Sequence, residues 1–270
     1  MLKMKDEVIK FRQLLCDVIR TQCTNNEAAV LLSGGVDSQT VIFACLELGI
    51  VPTAYTFRLK DYESRDSFYA KSLCEKFGIT HKMIVVDSST LELDFLTLAN
   101  KYECRKKTQY ECIYPFIHLF PHIKEQHVIT GWGAYFGISR KASTSGATTN
   151  KAVFDKMRLD EFNHPNPDGR VQLRQLIKEY NKILIAPYFE QSVFDFLFQF
   201  NWGQLNKPIQ KAMSVYAFNE YFSKIKVRQA SNLQLDGGID VLFESLLKSS
   251  LNKKKRLRVM DLCRDYAKNN

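Results

Sequence analysis

The chain has 270 residues, enough to bury a sizeable core in one large domain or two small ones. No apolar run reaches the length of a membrane span, and no apolar segment follows the charged N-terminus as in a secretory signal, so no membrane partner is expected. The formal charge is +9, with 13 Lys/Arg against 6 Asp/Glu from residue 201 onward, which favours acidic ligands such as ATP, acidic metabolites or nucleic acid.

In chain order, Val8, Phe11, Leu14, Leu15, Val18 and Ile19 recur at helical spacing and predict a first helix from about Lys5 to Thr24. Ala28 to Leu32 reads as a buried strand, and Gln39 to Leu48 as a helix. Between them stands Ser33-Gly34-Gly35-Val36-Asp37-Ser38. A strand, a Gly-Gly turn flanked by hydroxyls and a helix N-terminus make an anion cradle. The glycines let the backbone approach a ligand, and the N–H groups of the first helical turn point at phosphate. Ser33 and Ser38 offer further donors. Asp37 repels phosphate, so its sensible role is to hold a Mg²⁺ that bridges phosphate oxygens.

Ile50 to Phe57 predicts a second strand, Arg65 to Phe77 a helix stopped by Gly78, and His81 to Val86 a third strand. A helical stretch from Ser89 to Lys101 and a helix from Tyr114 to Glu125 precede a fourth strand, His127 to Thr130, and then Gly131. Strands alternating with helices over 28–131 indicate an α/β fold, a parallel twisted sheet with helices on both faces. Ligands of such sheets lie beyond the carboxyl ends of the strands, where Ser33, Phe57, Asp87 and Gly131 all fall. Ser139 to Asn150 is small, polar and hydroxyl-rich, and reads as a loop beside the site. From about Ala152 the chain is mainly helical. The expected division is 1–138 as the core with its N-terminal helix, 139–150 as a flexible loop, and 151–270 as a helical substrate-side region packed on the core.

The cysteines, Cys16, Cys23, Cys45, Cys74, Cys104, Cys112 and Cys263, are dispersed with no C-x-x-C pair, which points to reduced thiols and a cytoplasmic location. His118 and His122 stand at helical i, i+4 spacing, but Pro121 lies between them and no third ligand is evident. Trp132 has the choice of stacking on a substrate or filling the core.

The hexapeptide resembles the SGGxDS signature of the ATP pyrophosphatases, the PP-loop family. The order of later segments is similar to the synthetase domain of asparagine synthetase and the β-lactam synthetases. Tyr55-Thr56-Phe57 stands where that family's strand end meets adenine. Val128-Ile129-Thr130-Gly131-Trp132-Gly133-Ala134 resembles its "v-L-S-G-x-G-A". Pro187 to Glu190 resembles "P-F-L-D", and Asn206 to Lys211 resembles "K-x-x-L-R". The resemblance implies ATP bound by Ser33, Gly34, Gly35, Val36, Asp37, Ser38, Phe57 and Gly131, with Mg²⁺ on Asp37. It makes Asp37, Lys207 and Arg228 the candidate catalytic residues, Lys207 as the phosphate clamp. The implied reaction joins AMP to a carboxylate or amide oxygen, releases pyrophosphate, and forms a C–N bond with ammonia or an amine.

Two departures stand out. The family's acidic pair after G-x-G-A is replaced by Tyr135-Phe136, and no lysine follows Lys226-Val227-Arg228 in the family's register. Residue 2 is Leu, so nitrogen is expected from free ammonia, the substrate or a separate glutaminase. The alternatives are a PP-loop enzyme that modifies a nucleobase or nucleic acid, reached through the basic C-terminal region, and a nucleotide-binding protein that has lost turnover.

Overall fold

The computed structural model describes residues 5–134, 146–166, 168–227, 233–253 and 258–269. Five parallel strands form one sheet in the order β3-β2-β1-β4-β5. They are β1 (Glu27–Leu31), β2 (Val51–Leu59), β3 (Thr80–Val86), β4 (His127–Thr130) and β5 (Ile183–Ile185). From β1 the chain steps outward to β2 and β3, then returns to the other side of β1 for β4. The order therefore reverses at β1 and β4, and a crevice opens beyond their carboxyl ends.

After Glu27, β1 is apolar because both faces of the sheet are covered. Successive side chains point to opposite faces. Ala28 and Val30 join the core that contains Phe11, Leu15 and Ile19 of α1 (Lys5–Gln22) and Val41, Ile42 and Phe43 of α2 (Val36–Glu47). Ala29 and Leu31 face the opposite core, with Phe95 and Leu98 of α4 (Leu91–Asn100) and Tyr110, Ile113 and Tyr114 of α5 (Lys107–Leu119). The described elements after residue 150 pack against both faces: Met213, Val215 and Phe218 enter the first core, Phe243, Leu246 and Leu262 the second. Among the described residues no helix is long and apolar enough to cross a membrane.

The helix α3 (Arg65–Phe77) follows the sequence expectation at both ends. The Ser64 hydroxyl accepts the Ser67 N–H at 3.3 Å, and Gly78 closes the helix in the left-handed conformation at φ 66°. Two expectations are corrected. The helix before β4 begins at Lys107, not Tyr114, and carries Pro115 inside it. The Gln109 side chain caps it by accepting the N–H groups of Arg105 and Lys106 at 2.8 and 3.1 Å, and burial of Tyr110, Ile113 and Tyr114 outweighs the lost backbone bond. The fifth strand, Ile183–Ile185, was read as part of a helical stretch. Its three residues pair with β4 in register His127 to Ile183, too short a run to show a period of two.

Arg158 is fully buried in the helix Lys151–Asn163. Its guanidinium donates to the carbonyls of Leu197, Phe198 and Phe200 at 2.9, 3.1 and 3.1 Å, pairs with Asp155, and lies over the Phe154 ring. One side chain thereby fixes that helix to the turn that ends the helix Gln191–Phe198.

Candidate active site

The Ser33–Ser38 loop lies at the β1 side of the crevice. Its hydroxyls bind the loop to itself. Ser38 Oγ donates to the Gly35 carbonyl at 3.0 Å and accepts the Ser33 N–H at 3.2 Å. With the Ser38 proton so committed, the Ser33 hydroxyl, 3.2 Å away, is the donor between the two. Gln39 Nε2 adds a bond to the Gly34 carbonyl at 3.0 Å. The loop is therefore braced by its own side chains, and α2 behind it is buried from Val36 to Cys45 except at Asp37.

The glycines divide by what they face. Gly34 sits at φ 71°, and a Cβ there would stand 2.7 Å from the Asp66 carbonyl oxygen on α3. A Cβ on Gly131 would stand 2.5 to 2.7 Å from the backbone of Asp37 and Ser38, so β4 can end against the start of α2 only with glycine there. Gly35 has open space, with the Ser33 hydroxyl nearest its Cβ position at 3.5 Å. Gly34 and Gly131 thus serve packing around the loop, and Gly35 is the one whose bare backbone faces the crevice.

Asp37 stands in the first turn of α2. Its Oδ2 is paired with Lys211 Nζ across 174 residues of chain. Its Oδ1 is buried with no hydrogen-bond partner among the described residues. Behind it lie the hydroxyls of Tyr188, Thr40 and Ser214; burial first, and Asp37 second, hold the Tyr188 phenol well above its ordinary pKa. The orphaned carboxylate oxygen in the first turn of α2 fits Mg²⁺, which Asp37 would hold. Among the described residues no group of three or more His, Cys, Asp or Glu side chains could hold a metal.

Val36 is buried at the root of the loop. Phe57 lies in the core with its ring edge-on to Tyr114 at 6.0 Å, and β2 runs on to Leu59. Lys207 is exposed; the ammonium that reaches Asp37 belongs to Lys211, the basic residue that ends the segment likened to K-x-x-L-R. That last position was the signal available in the sequence, and only the fold shows that it meets the loop. Arg228, and residues 139–145 of the expected loop, lie outside the described residues. Lys226 lines a recess of about 210 Å³ with Gln39, Tyr69 and Ile225, on the flank of the loop. Trp132 donates its indole N–H to Asp168 and lies 5.7 Å from the Phe116 ring, so it is held at the β4 side of the crevice. Asp168 had no signal in the sequence beyond its place in a Pro- and Asn-rich break.

A loop braced by its own side chains, at the reversal point of a parallel sheet, defines an α/β protein with a crevice between β1 and β4, where such folds take ligands. Residues 10–134 match the family model for asparagine synthase, a segment that runs from α1 through β4. Among curated proteins it is similar to the 7-cyano-7-deazaguanine synthases of Psychromonas ingrahamii, 31% identical over 64 residues, and Thermoplasma acidophilum, 34% over 71 residues. These stretches cover 24% and 26% of this chain and 29% and 30% of those proteins, so the match spans under a third of the relatives' length. Among solved structures, NMN synthetase from Francisella tularensis aligns over 84% of this chain and 98% of its own, at 15% identity and TM-score 0.38. The U34-tRNA thiolase of Methanococcus maripaludis aligns over 96% and 78%, at 12% identity and TM-score 0.34.

Proposed function

We propose that the chain is an ATP-dependent adenylating enzyme whose acceptor is a nucleobase or a base within nucleic acid. The observation that carries the reading is the cradle itself, with the buried, unpartnered Asp37 Oδ1 at its rim. An acceptor oxygen attacks the α-phosphorus, the bond from that phosphorus to the bridging oxygen breaks, and pyrophosphate leaves. A nitrogen nucleophile then displaces AMP. Gly35 and the first N–H groups of α2 bind phosphate oxygens and meet the charge that grows on the pyrophosphate, while Ser33 and Ser38 hold the loop in shape. Asp37 would hold Mg²⁺, which would supply positive charge against that developing on the phosphates. The similarity to deazaguanine synthases and the charge of +9 favour a base as acceptor. The asparagine synthase match favours a second reading, C–N bond formation on a small carboxylate with ammonia or an amine.

Phosphorus NMR on Mg²⁺·ATP tests this, with pools of nucleobases and tRNA in one set and carboxylates with ammonia in the other. The expected products are AMP and pyrophosphate in the first set. Asp37→Asn is expected to lower the rate on the order of a hundredfold or more, as loss of a group acting on the developing charge does. ADP and phosphate would refute the adenylating chemistry; AMP only with carboxylates would select the second reading.

A further inference from the structure

Lys211 is held more tightly than a surface lysine requires. Its backbone lies in the left-handed region, at φ 59° and ψ 38°, a conformation that disfavours any residue with a Cβ. Its N–H donates to Asn206 Oδ1 at 3.2 Å, and Asn206 is buried, its own amide donating to the Trp202 carbonyl at 3.2 Å. The turn thus aims a four-carbon stem, 13% exposed, at the Asp37 carboxylate. One carboxylate oxygen is taken by the lysine. The other is buried and has no hydrogen-bond partner among the described residues.

We propose that Lys211 is a cation with two positions: it neutralises Asp37 in the nucleotide-free protein and moves onto a pyrophosphate oxygen when metal and nucleotide fill the cradle. The proposal rests on the adenylating reading above. Without nucleotide the carboxylate needs one positive neighbour, and the ammonium supplies it. A divalent cation arriving at Asp37 repels the ammonium, and the nucleotide's phosphates attract it. The lysine exchanges one anionic partner for another, and its charge comes to bear where the α-phosphorus–oxygen bond breaks and the leaving oxygen becomes negative. Its restrained backbone keeps both partners within the swing of one flexible side chain.

The test uses Lys211→Met and Lys211→Gly; glycine accepts the left-handed backbone without a steric penalty, so the second variant keeps the turn. Mn²⁺ binding to the nucleotide-free protein is followed by electron paramagnetic resonance. Binding of α,β-methylene ATP, which cannot be cleaved at the α–β link, is followed by calorimetry. Both variants are expected to bind Mn²⁺ on the order of tenfold tighter, because no ammonium competes, and the Mn²⁺·analogue on the order of tenfold more weakly. Unchanged or weaker Mn²⁺ binding in both variants overturns the proposal, as does tighter Mn²⁺ binding with unchanged analogue affinity. If the parent protein releases no pyrophosphate with any acceptor, the adenylating reading fails, while these two affinities still decide the behaviour of Lys211.

Discussion

At the scale of single residues, the two loop glycines and Gly131 after β4 separate folding from binding. Alanine at Gly131 would collide with the backbone of Asp37 and Ser38, so Gly131→Ala is expected to cost about 1–3 kcal/mol in urea unfolding and to weaken nucleotide binding through the displaced loop. Gly35→Ala meets nothing closer than 3.5 Å, and Gly35 has φ −83°, which alanine adopts freely. It is expected to unfold within about 0.5 kcal/mol of the parent yet bind nucleotide weakly. Equal loss of stability in both would show that the loop faces a protein neighbour at Gly35 as well. The thiols give a second check. Burial pushes Cys16 up to about 11 and Cys74 and Cys263 up to about 12, whereas Cys112 is partly exposed. N-ethylmaleimide at pH 8 is expected to modify Cys112 first in the native protein, read by peptide mass spectrometry, with those three labelled only on unfolding.

Between strands, His81 of β3 donates from Nε2 to Thr56 of β2 at 2.9 Å, and the Thr56 hydroxyl donates to the Leu32 carbonyl at the end of β1, also at 2.9 Å. This chain of bonds ties three strands together one residue before the cradle. Burial holds the imidazole below its ordinary range. The unfolded chain therefore takes up a proton first as pH falls, and this contribution is full above the unfolded value of about 6.5 and is lost as pH falls through it. Urea unfolding is expected to show lower stability at pH 5.5 than at 7.5, with a smaller difference in His81→Gln; an equal difference would remove His81 as the cause. Arg158→Met would leave three carbonyls and Asp155 without their buried partner, and is expected to cost about 3 kcal/mol or more, read by thermal unfolding. Elements with local punctuation were legible from sequence: α3 had its serine cap and Gly78, and β1 its unbroken apolar run. α5 was misplaced because a proline is a strong start signal, and only tertiary burial of Tyr110 and Ile113 shows that the helix begins before it. β5 was missed because strand pairing, not composition, makes it a strand.

Across the whole molecule, the half of the site that lies within one hexapeptide was readable, because its chemistry and its turn geometry depend on adjacent residues. The other half was not. Gly131 was placed by strand alternation, but its steric lock on Asp37 was invisible, and Lys211 carried only its place at the end of the segment likened to K-x-x-L-R, with nothing to show that it meets Asp37. The same limit explains why the basic excess after residue 200 could be counted but not located on a surface. It also sets an order of events in folding. β1, the loop and α2 are neighbours in sequence and can form early, whereas the contact between Asp37 and Lys211 closes 174 residues of chain. Contacts of such separation form only after their loop-closure entropy has been met by the packing of intervening segments. A nucleotide that needs the finished cradle therefore cannot assist the early steps. It acts as a late witness, slowing unfolding while leaving the rate of refolding nearly unchanged, and during synthesis the site waits until the ribosome has released the turn that carries Lys211.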